Sequence, residues 1–521
     1  MVLILNLILF VPLLGAVSLL CIPNSMYGLH RKFAFGVSLV SLVLCVPLLF
    51  GFDYSSSEFQ FETIAPWLPS LGIMYLTGVD GLSLMLVVLT TLLTTLSILA
   101  SFDSIQKNAR EFYFFMLLLE TGMIGTFIAR DLFLFYIFWE LMLVPMYFII
   151  GIWGGKERIY AGIKFFLYTA FGSALLLIVI FYLYFTAVEQ RGGAYSFNYE
   201  NFLLLDLAPA TQRWLFVAFV LAFLIKMPLF PFHTWLPYAH TEAPTAGSVL
   251  LAGVLLKTGT YAFLRFAVPI FPEAVLWFTP LLMAMSIIGI IYGAMVAMVQ
   301  RDIKRLVAYS SVSHMGMLMA GILAWNVQGV EGGIIQMINH GLSTGALFLV
   351  VGMIYDRRHT REISAFGGVA RSMPVFAAFF MIFTLSSIGL PGLNGFVGEL
   401  LILTGLMGSS IFWAVLAATG LILGAAYMLM LYQRMMFGPI RNEDNRTLLD
   451  LNRREIFVLA PIAVLCFIIG MFPQPFISMI KPPAREIVEH IRPYMQEEPW
   501  YTQVARPQDN ETPETQLQAE P

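Results

Sequence analysis

Lys226-Met-Pro228-Leu-Phe-Pro231-Phe-His233 interrupts an apolar run that extends from 214 to 238. A helix drawn through it would lose two backbone donors to proline, and each ring would collide with the turn before it. The run is still long enough to cross hydrocarbon, which takes about 20 residues. The stretch therefore reads as a membrane-spanning helix broken near its middle, with a lysine and a histidine beside the unwound backbone. Carbonyls freed at that depth need water or polar side chains as partners.

Working outward, the apolar run 374–406 carries the same damage at Leu390-Pro391-Gly392-Leu393-Asn394-Gly395-Phe396, with Glu399 close behind. The rest of the chain completes a series of about 14 spans. Their predicted bounds are 2–22, 33–50, 79–100, 112–129, 131–152, 161–187, 214–238, 246–268, 274–299, 303–324, 330–354, 374–406, 412–435 and 456–478. The fold class is thus an all-α polytopic membrane protein with helices 7 and 12 broken. Five spans separate the two breaks, an odd number, so the second runs in the opposite direction; that is the signature of an inverted repeat, with spans 4–8 and 9–13 as five-helix copies. Thr169-Ala-Phe-Gly-Ser-Ala-Leu in span 6 also resembles Ser343-Thr-Gly-Ala-Leu in span 11. Matching Pro228 to Pro391 gives an offset of 163 and matching Lys226 to Glu399 gives 173, so the likeness holds helix by helix but not in register. The predicted organisation is an N-terminal three-helix region with an outward loop (1–111), the two repeats (112–268 and 274–435), a loop with the last helix (436–480), and a flexible outward tail (481–521). A short amphipathic start to that tail is expected around Ile487 to Ile491, and the loop 51–78 reads as solvated.

Composition agrees. Of the 521 residues 59% are hydrophobic and 12% charged, about half the charge of a soluble chain, and mean hydropathy is +0.81. Net charge is −3 and no basic stripe is present, which argues against nucleic acid as a partner. Cys21, Cys45 and Cys466 each sit in an apolar run outside any C-x-x-C pattern, so neither a metal centre nor an iron–sulfur cluster is expected. The first run has no basic residue ahead of it and reads as a retained helix rather than a cleaved signal. Eighteen of the 29 basic residues fall in one set of alternate loops and 8 in the other, with Lys164, Lys226 and Lys257 inside spans. The positive-inside rule then places both termini on the outer side.

Eight ionisable residues stand out as costly within the spans: Glu120, Glu140, Lys164, Lys226, Lys257, His314, His340 and Glu399. A charge at the centre of a membrane costs about 2.5–3.5 kcal/mol on insertion scales, so each needs a purpose or a partner. Lys226 and Glu399 stand beside the breaks, where water and backbone dipoles let a buried group change protonation state; a static ion pair is the plainer alternative. Glu140, in Phe138-Trp139-Glu140-Leu141-Met142-Leu143-Val144-Pro145, is the expected carboxylate partner of a lysine. At about 4 Å and an effective dielectric near 20 such a pair is worth roughly 4 kcal/mol. That exceeds the roughly 2.3 kcal/mol needed to move one charge against 100 mV. Lys257, His314 and His340 follow in chain order between the breaks, and imidazole suits a relay because it titrates near neutrality and has two nitrogens. Lys164 can snorkel to the membrane edge and Glu120 can pair locally. Asp80 and Asp131 open their helices and fit N-terminal caps. Gly332-Gly333 lacks the strand–turn–helix setting of a nucleotide site.

The stretch from Lys226 through His233, Pro237, His240 and Pro244 to Leu255-Leu256-Lys257-Thr258-Gly259 resembles the signature of the antiporter-like, proton-translocating subunits of respiratory complex I, NADH:quinone oxidoreductase. Gly78-Val-Asp80-Gly-Leu-Ser, Phe138-Trp-Glu140 and Leu390-Pro-Gly-Leu-Asn-Gly-Phe-Val-Gly-Glu399 agree with it, and the resemblance covers roughly residues 75–435. It implies a central hydrophilic axis for protons at Glu140, Lys226, Lys257 and Glu399, with His314 and His340 connecting them. A glutamate at the last position resembles the M-type branch, the counterpart of mitochondrial subunit 4, where other branches have lysine. The resemblance further implies a place in a bacterial cytoplasmic (inner) membrane, beside other membrane-arm subunits that include L-type and N-type relatives. FMN, iron–sulfur clusters and quinone would then be held by partner subunits, with no cofactor in this chain. Two other readings stay open: a subunit of a multi-subunit Na⁺/H⁺ antiporter, and a passive membrane scaffold.

Overall fold

Twelve helices among the described residues are long and apolar enough to cross a membrane. They are seen in a computed structural model that describes residues 2–190, 196–440 and 442–495. In chain order the elements are α1 (Val2–Leu20), α2 (Tyr27–Phe50), a hairpin of β1 (Gln60–Leu68) and β2 (Ile73–Val79), α3 (Gly81–Ala100), α4 (Ala109–Ile128), α5 (Leu132–Leu141), α6 (Leu143–Trp153) and α7 (Arg158–Gln190). There follow α8 (Pro209–Lys226), α9 (Leu236–Glu242), α10 (Thr245–Ile270), α11 (Pro272–Met298), α12 (Ile303–Ile322) and α13 (Val327–Arg358). The last are α14 (Pro374–Ser387), α15 (Asn394–Ser409), α16 (Ile411–Met436), α17 (Arg453–Met471) and α18 (Gln474–Met495). Both predicted breaks are present, between α8 and α9 and between α14 and α15. The chain is a mostly helical, multi-pass membrane protein.

Helices α10 and α13 are enclosed by the others and bury their apolar stretches completely, whereas α1, α2, α16 and α17 fully bury less than two fifths of theirs. With no water to drive helices together in hydrocarbon, close association relies on small residues that let backbones meet. Gly253 of α10 and Gly341 of α13 supply one such meeting point: a methyl group on Gly341 would lie 2.8 Å from the Gly253 carbonyl oxygen. Helix starts are pinned as the sequence indicates. The Asp80 side chain accepts from Ser83 N at 2.9 Å in a capping box, and Asp131 accepts from Phe133 N and Leu134 N at 3.0 and 2.9 Å.

Three segments differ from the sequence reading. Residues 60–78, expected as part of a solvated loop, belong to an antiparallel hairpin in which β2 is largely buried, at Ile73 and from Leu76 to Val79, while β1 stays half exposed. Under it, Arg130 pairs with Glu62 and Glu200, and Arg265 pairs with Asp80. The Phe59 ring lies 4.1 Å from the Arg130 guanidinium and 4.6 Å from that of Arg265. These two arginines, assigned to loops from sequence, are thus largely buried and paired.

The second difference lies at the C-terminal end. Residues 481–495, placed in a flexible tail, continue a helix that starts at Gln474 and holds the expected amphipathic stretch. Met479, Ile480, Ala484, Val488 and Ile491 are buried on one side, while Lys481, Arg485 and Glu489 are exposed on the other. Residues 496–521 of the predicted tail lie outside the described residues. The third difference is Lys304, counted among loop charges but only 6% exposed at the start of α12.

The amphipathic helix is seated on the start of α3, where Gly81 meets the backbone of Met479. A methyl group at Gly81 would overlap the Met479 carbonyl oxygen. Gly81→Ala is expected to lower stability by about 1–3 kcal/mol through overpacking, read as a lower thermal unfolding midpoint of the purified assembly and faster proteolysis near residue 474.

Candidate proton-relay site

Helix α8 ends at Lys226 because Pro228 has no N–H to offer the Leu224 carbonyl four residues back. The Leu229 N–H reaches Leu224 instead, at 3.0 Å, the six-to-one bond of a helix C-terminal turn. That leaves the Ile225 carbonyl, which receives the indole N–H of Trp235 at 2.9 Å. Both carbonyls thus have a donor from the protein, and Lys226, 2% exposed, is held in the last helical turn, where the negative end of the helix dipole favours a cation. Its ammonium nitrogen stands 5.0 Å from the Trp139 ring centroid and 6.0 Å from that of Phe165. On the far side α10 presses close: a methyl group at Gly259 would meet the Phe223 carbonyl oxygen at 2.8 Å.

The second break repeats the device with a more suitable residue. The Leu390 N–H bonds the Leu385 carbonyl at 3.0 Å, and Gly389 between them has φ +70°, a left-handed geometry that glycine adopts without penalty. The same glycine leaves room for Glu399, since a side chain there would overlap the carboxylate. Asn394 spans the gap, its amide donating to the Asn339 carbonyl at 3.3 Å.

Lys257 is fully buried in α10 between two π-helical turns, Leu251–Leu255 and Phe263–Ala267. Such turns widen the helix and displace its hydrogen bonds, and here the ammonium bonds the carbonyl of Ala252, inside the first of them. Its other neighbour is His340 Nδ1 of α13, at 2.6 Å. The His340 ring is 5.6 Å, centroid to centroid, from His314 of α12, whose Nδ1 is 3.9 Å from Glu399 Oε1. Ser387 Oγ, at the lip of the second break, lies 3.4 Å from His314 Nε2. A cleft of about 10 Å³ lined by His314, Glu399, Ser387 and Tyr427 adjoins them, room for about one water molecule.

Four of the six predicted site residues are therefore in one connected series: Lys257, His340, His314 and Glu399. Lys226 and Glu140 form a separate group. The expected close pair is not made: among the described residues neither takes part in an ion pair within 4.0 Å, although Glu140 is the charge that acts on Lys226. Glu140 lies at the α5–α6 junction with one carboxylate oxygen buried and unpartnered. The physical reason for the separation is the aromatic packing around the ammonium, with Trp139 tied to Ser173 by a 3.1 Å hydrogen bond. Among the described residues Lys164 forms no carboxylate pair either; its ammonium rests 4.1 Å from the Tyr238 ring centroid.

Sequence reasoning missed two groups next to this series. Lys304 donates to the Ala243 carbonyl at the floor of a cleft of about 190 Å³ that is also lined by Glu242, Arg361 and Asp356. His240 is fully buried, stacked 4.5 Å from Phe348, with both ring nitrogens unpartnered. His240 stands 14 residues from Lys226 and 17 from Lys257, too far for a helical periodicity to link them, and Lys304 beside Arg305 reads as an ordinary loop charge.

Comparison with known proteins adds an independent line. Residues 129–424 match the family described as NADH:quinone oxidoreductase/Mrp antiporter, TM. The chain is 44% identical over 496 residues to NADH-quinone oxidoreductase subunit M of Rhodobacter capsulatus, covering 93% of this chain and 96% of the relative. It is 41% identical over 484 residues to NADH-ubiquinone oxidoreductase chain 4 of Marchantia polymorpha, with the same coverage. A chain of respiratory complex I from Thermus thermophilus superposes with TM-score 0.85 at 32% identity, covering 94% of this chain and 99% of that one. A chain of the Mrp complex from Dietzia shares the fold, with TM-score 0.80 at 21% identity, 95% of this chain and 100% of that one.

Replacing Trp235 by Phe keeps the packing but leaves the Ile225 carbonyl without a donor. The expected cost is about 1–3 kcal/mol for an unsatisfied buried acceptor, measured as a lower unfolding midpoint, with Trp235→Leu losing more.

Proposed function

The chain belongs to the NADH:quinone oxidoreductase/Mrp antiporter transmembrane family, and on that premise we propose that it is a membrane-arm subunit of a proton-pumping NADH:quinone oxidoreductase, of the type its relatives call subunit M. The observation that carries the mechanism is the buried series Lys257–His340–His314–Glu399, which ends beside a helix break. In this reading a proton enters from the cytoplasmic side, is held on Lys226 under the influence of Glu140, passes to Lys257 and the two histidines, and leaves by Glu399 toward the outside. The cleft above Lys304 supports a cytoplasmic supply close to α10. An ammonium that faces His340 Nδ1 can hand over its proton if that nitrogen is the unprotonated one, and the ring can then release a proton from its other nitrogen. The wider gaps, 3.9 Å between His314 and Glu399 among them, call for a bridging water or a rotamer change. The separated Glu140 and Lys226 represent the state in which the lysine is least held.

The remaining features of the reading fit the same picture. Adding α12 and the broken pair α14–α15 to the twelve long helices gives 14 passes, grouped as two inverted five-helix repeats, with both termini outside a bacterial cytoplasmic membrane. Neighbours are other membrane-arm subunits, L-type and N-type among them. FMN, iron–sulfur clusters and quinone belong to partner subunits; this chain contributes acids and bases to the enzyme. A Na⁺/H⁺ antiporter subunit is the second reading. It is favoured less because the likeness to the Mrp complex is one of fold, while the relatives at 41–44% identity are named as NADH-quinone or NADH-ubiquinone oxidoreductase subunits.

Lys226→Ala, in a complex shown to assemble normally, is expected to reduce proton uptake coupled to quinone reduction by roughly 100-fold, the low end of what a positioned acid–base group contributes. Pumping at the native rate would exclude the relay and leave a scaffold. Glu399→Gln, which keeps the shape and removes the titratable group, is expected to fall comparably, whereas Lys164→Ala, outside the series, stays within about twofold of native.

A further inference from the structure

A second polar cluster lies among α2, α3 and α4, outside the relay. Glu120 of α4 has no exposed surface, and among the described residues no lysine, arginine or histidine forms an ion pair with it. Its Oε1 is 3.2 Å from Ser38 Oγ of α2, which is 2.9 Å from Thr95 Oγ1 of α3; Thr95 Oγ1 in turn is 2.8 Å from the Thr91 carbonyl oxygen. Glu120 Oε2 is buried without a partner. The other titratable group that faces this cluster is Cys45 of α2, whose thiol lies 3.5 Å from Thr91 Oγ1.

Counting hydrogens decides which charge state fits. Each hydroxyl has one proton to donate. If Glu120 were a carboxylate, Ser38 would spend its proton on it, and Oε2 would keep its share of the negative charge in hydrocarbon with no donor at all. Such burial costs several kcal/mol even after relaxation. If Glu120 is a neutral acid, the donors run in one direction: Glu120 O–H to Ser38, Ser38 to Thr95, and Thr95 to the Thr91 carbonyl. Every donor is then used, the chain ends on a backbone acceptor, and Oε2 is an uncharged carbonyl oxygen, the cheapest group to leave unpaired. The opposite face of α4, at Gly122 and Thr126, packs on Met142, two residues from Glu140, and among the described residues no hydrogen bond or ion pair joins the cluster to the relay.

We propose that Glu120 is a proton-binding site separate from the relay, a neutral carboxylic acid whose hydroxyl heads the chain through Ser38 and Thr95. The inference stands on the cluster's own geometry and does not depend on the relay. It is tested by infrared spectroscopy of the assembled complex in membranes, comparing native protein with Glu120→Gln and Ser38→Ala. The expected result is a carboxylic C=O stretching band that persists from neutral to alkaline pH, is lost in Glu120→Gln and is shifted in Ser38→Ala, where the acid loses its acceptor. Absence of any band difference between native protein and Glu120→Gln means the group is ionised and overturns the proposal. Pumping provides the second arm: Glu120→Gln, neutral and of equal size, is expected to translocate protons within about twofold of native. Loss of pumping in an assembled complex would place Glu120 in the relay and overturn the separation.

Discussion

Hydrocarbon offers a backbone no partners, so any helix that stops inside the membrane must have its loose ends tied by the protein itself. Each break in this chain obeys that constraint. Near Lys226 the bond from Leu229 to Leu224 and the indole of Trp235 close the gap left by two prolines; near Glu399 the bond from Leu390 to Leu385 closes the turn, and Asn394 ties the break to α13 through the Asn339 carbonyl. Only after this repair can an ionisable side chain stand at mid-membrane without collapse of the surrounding backbone. The chemistry of the site is thus subordinate to a satisfied main chain, and the residues that satisfy it are not the ones proposed to carry protons.

Much of this could be read directly from the residues, for definite reasons. Proline and glycine inside apolar runs announce the breaks because their effect is local, and Asp80 and Asp131 announce helix starts for the same reason. Lys257 and Glu399 stand out by being charged where charge is expensive. What escaped was non-local. Nothing in the sequence shows that Lys257 meets His340, 83 residues away, or that aromatic packing holds Lys226 apart from Glu140. The π turns around Lys257 left no trace either, since their cause is the fit of α10 among its neighbours rather than any residue preference. The amphipathic C-terminal helix was only partly visible, because Pro482 and Pro483 lie within it and suggest a loop.

The charged layer on the hairpin side has a different character from the relay. Arg130 and Arg265 are each paired with acids and stacked on Phe59. In a low-dielectric setting such groups are committed: removing one partner strands the other. The proposed relay residues differ in having no such acid–base pair within hydrogen-bond distance: Lys257 faces a carbonyl and an imidazole, and His314 and Glu399 stand 3.9 Å apart.

The two π turns of α10 place Lys257 on a seven-residue segment bounded at both ends by a surplus residue. One residue corresponds to about 100° of rotation and 1.5 Å of rise in an α-helix. A surplus passed from one end of the segment to the other would turn the lysine about the helix axis while both ends of the rod stayed anchored. Geometrically, α10 resembles a shaft with a bearing at each end of its middle section, and its amine, Lys257, is mounted on that section.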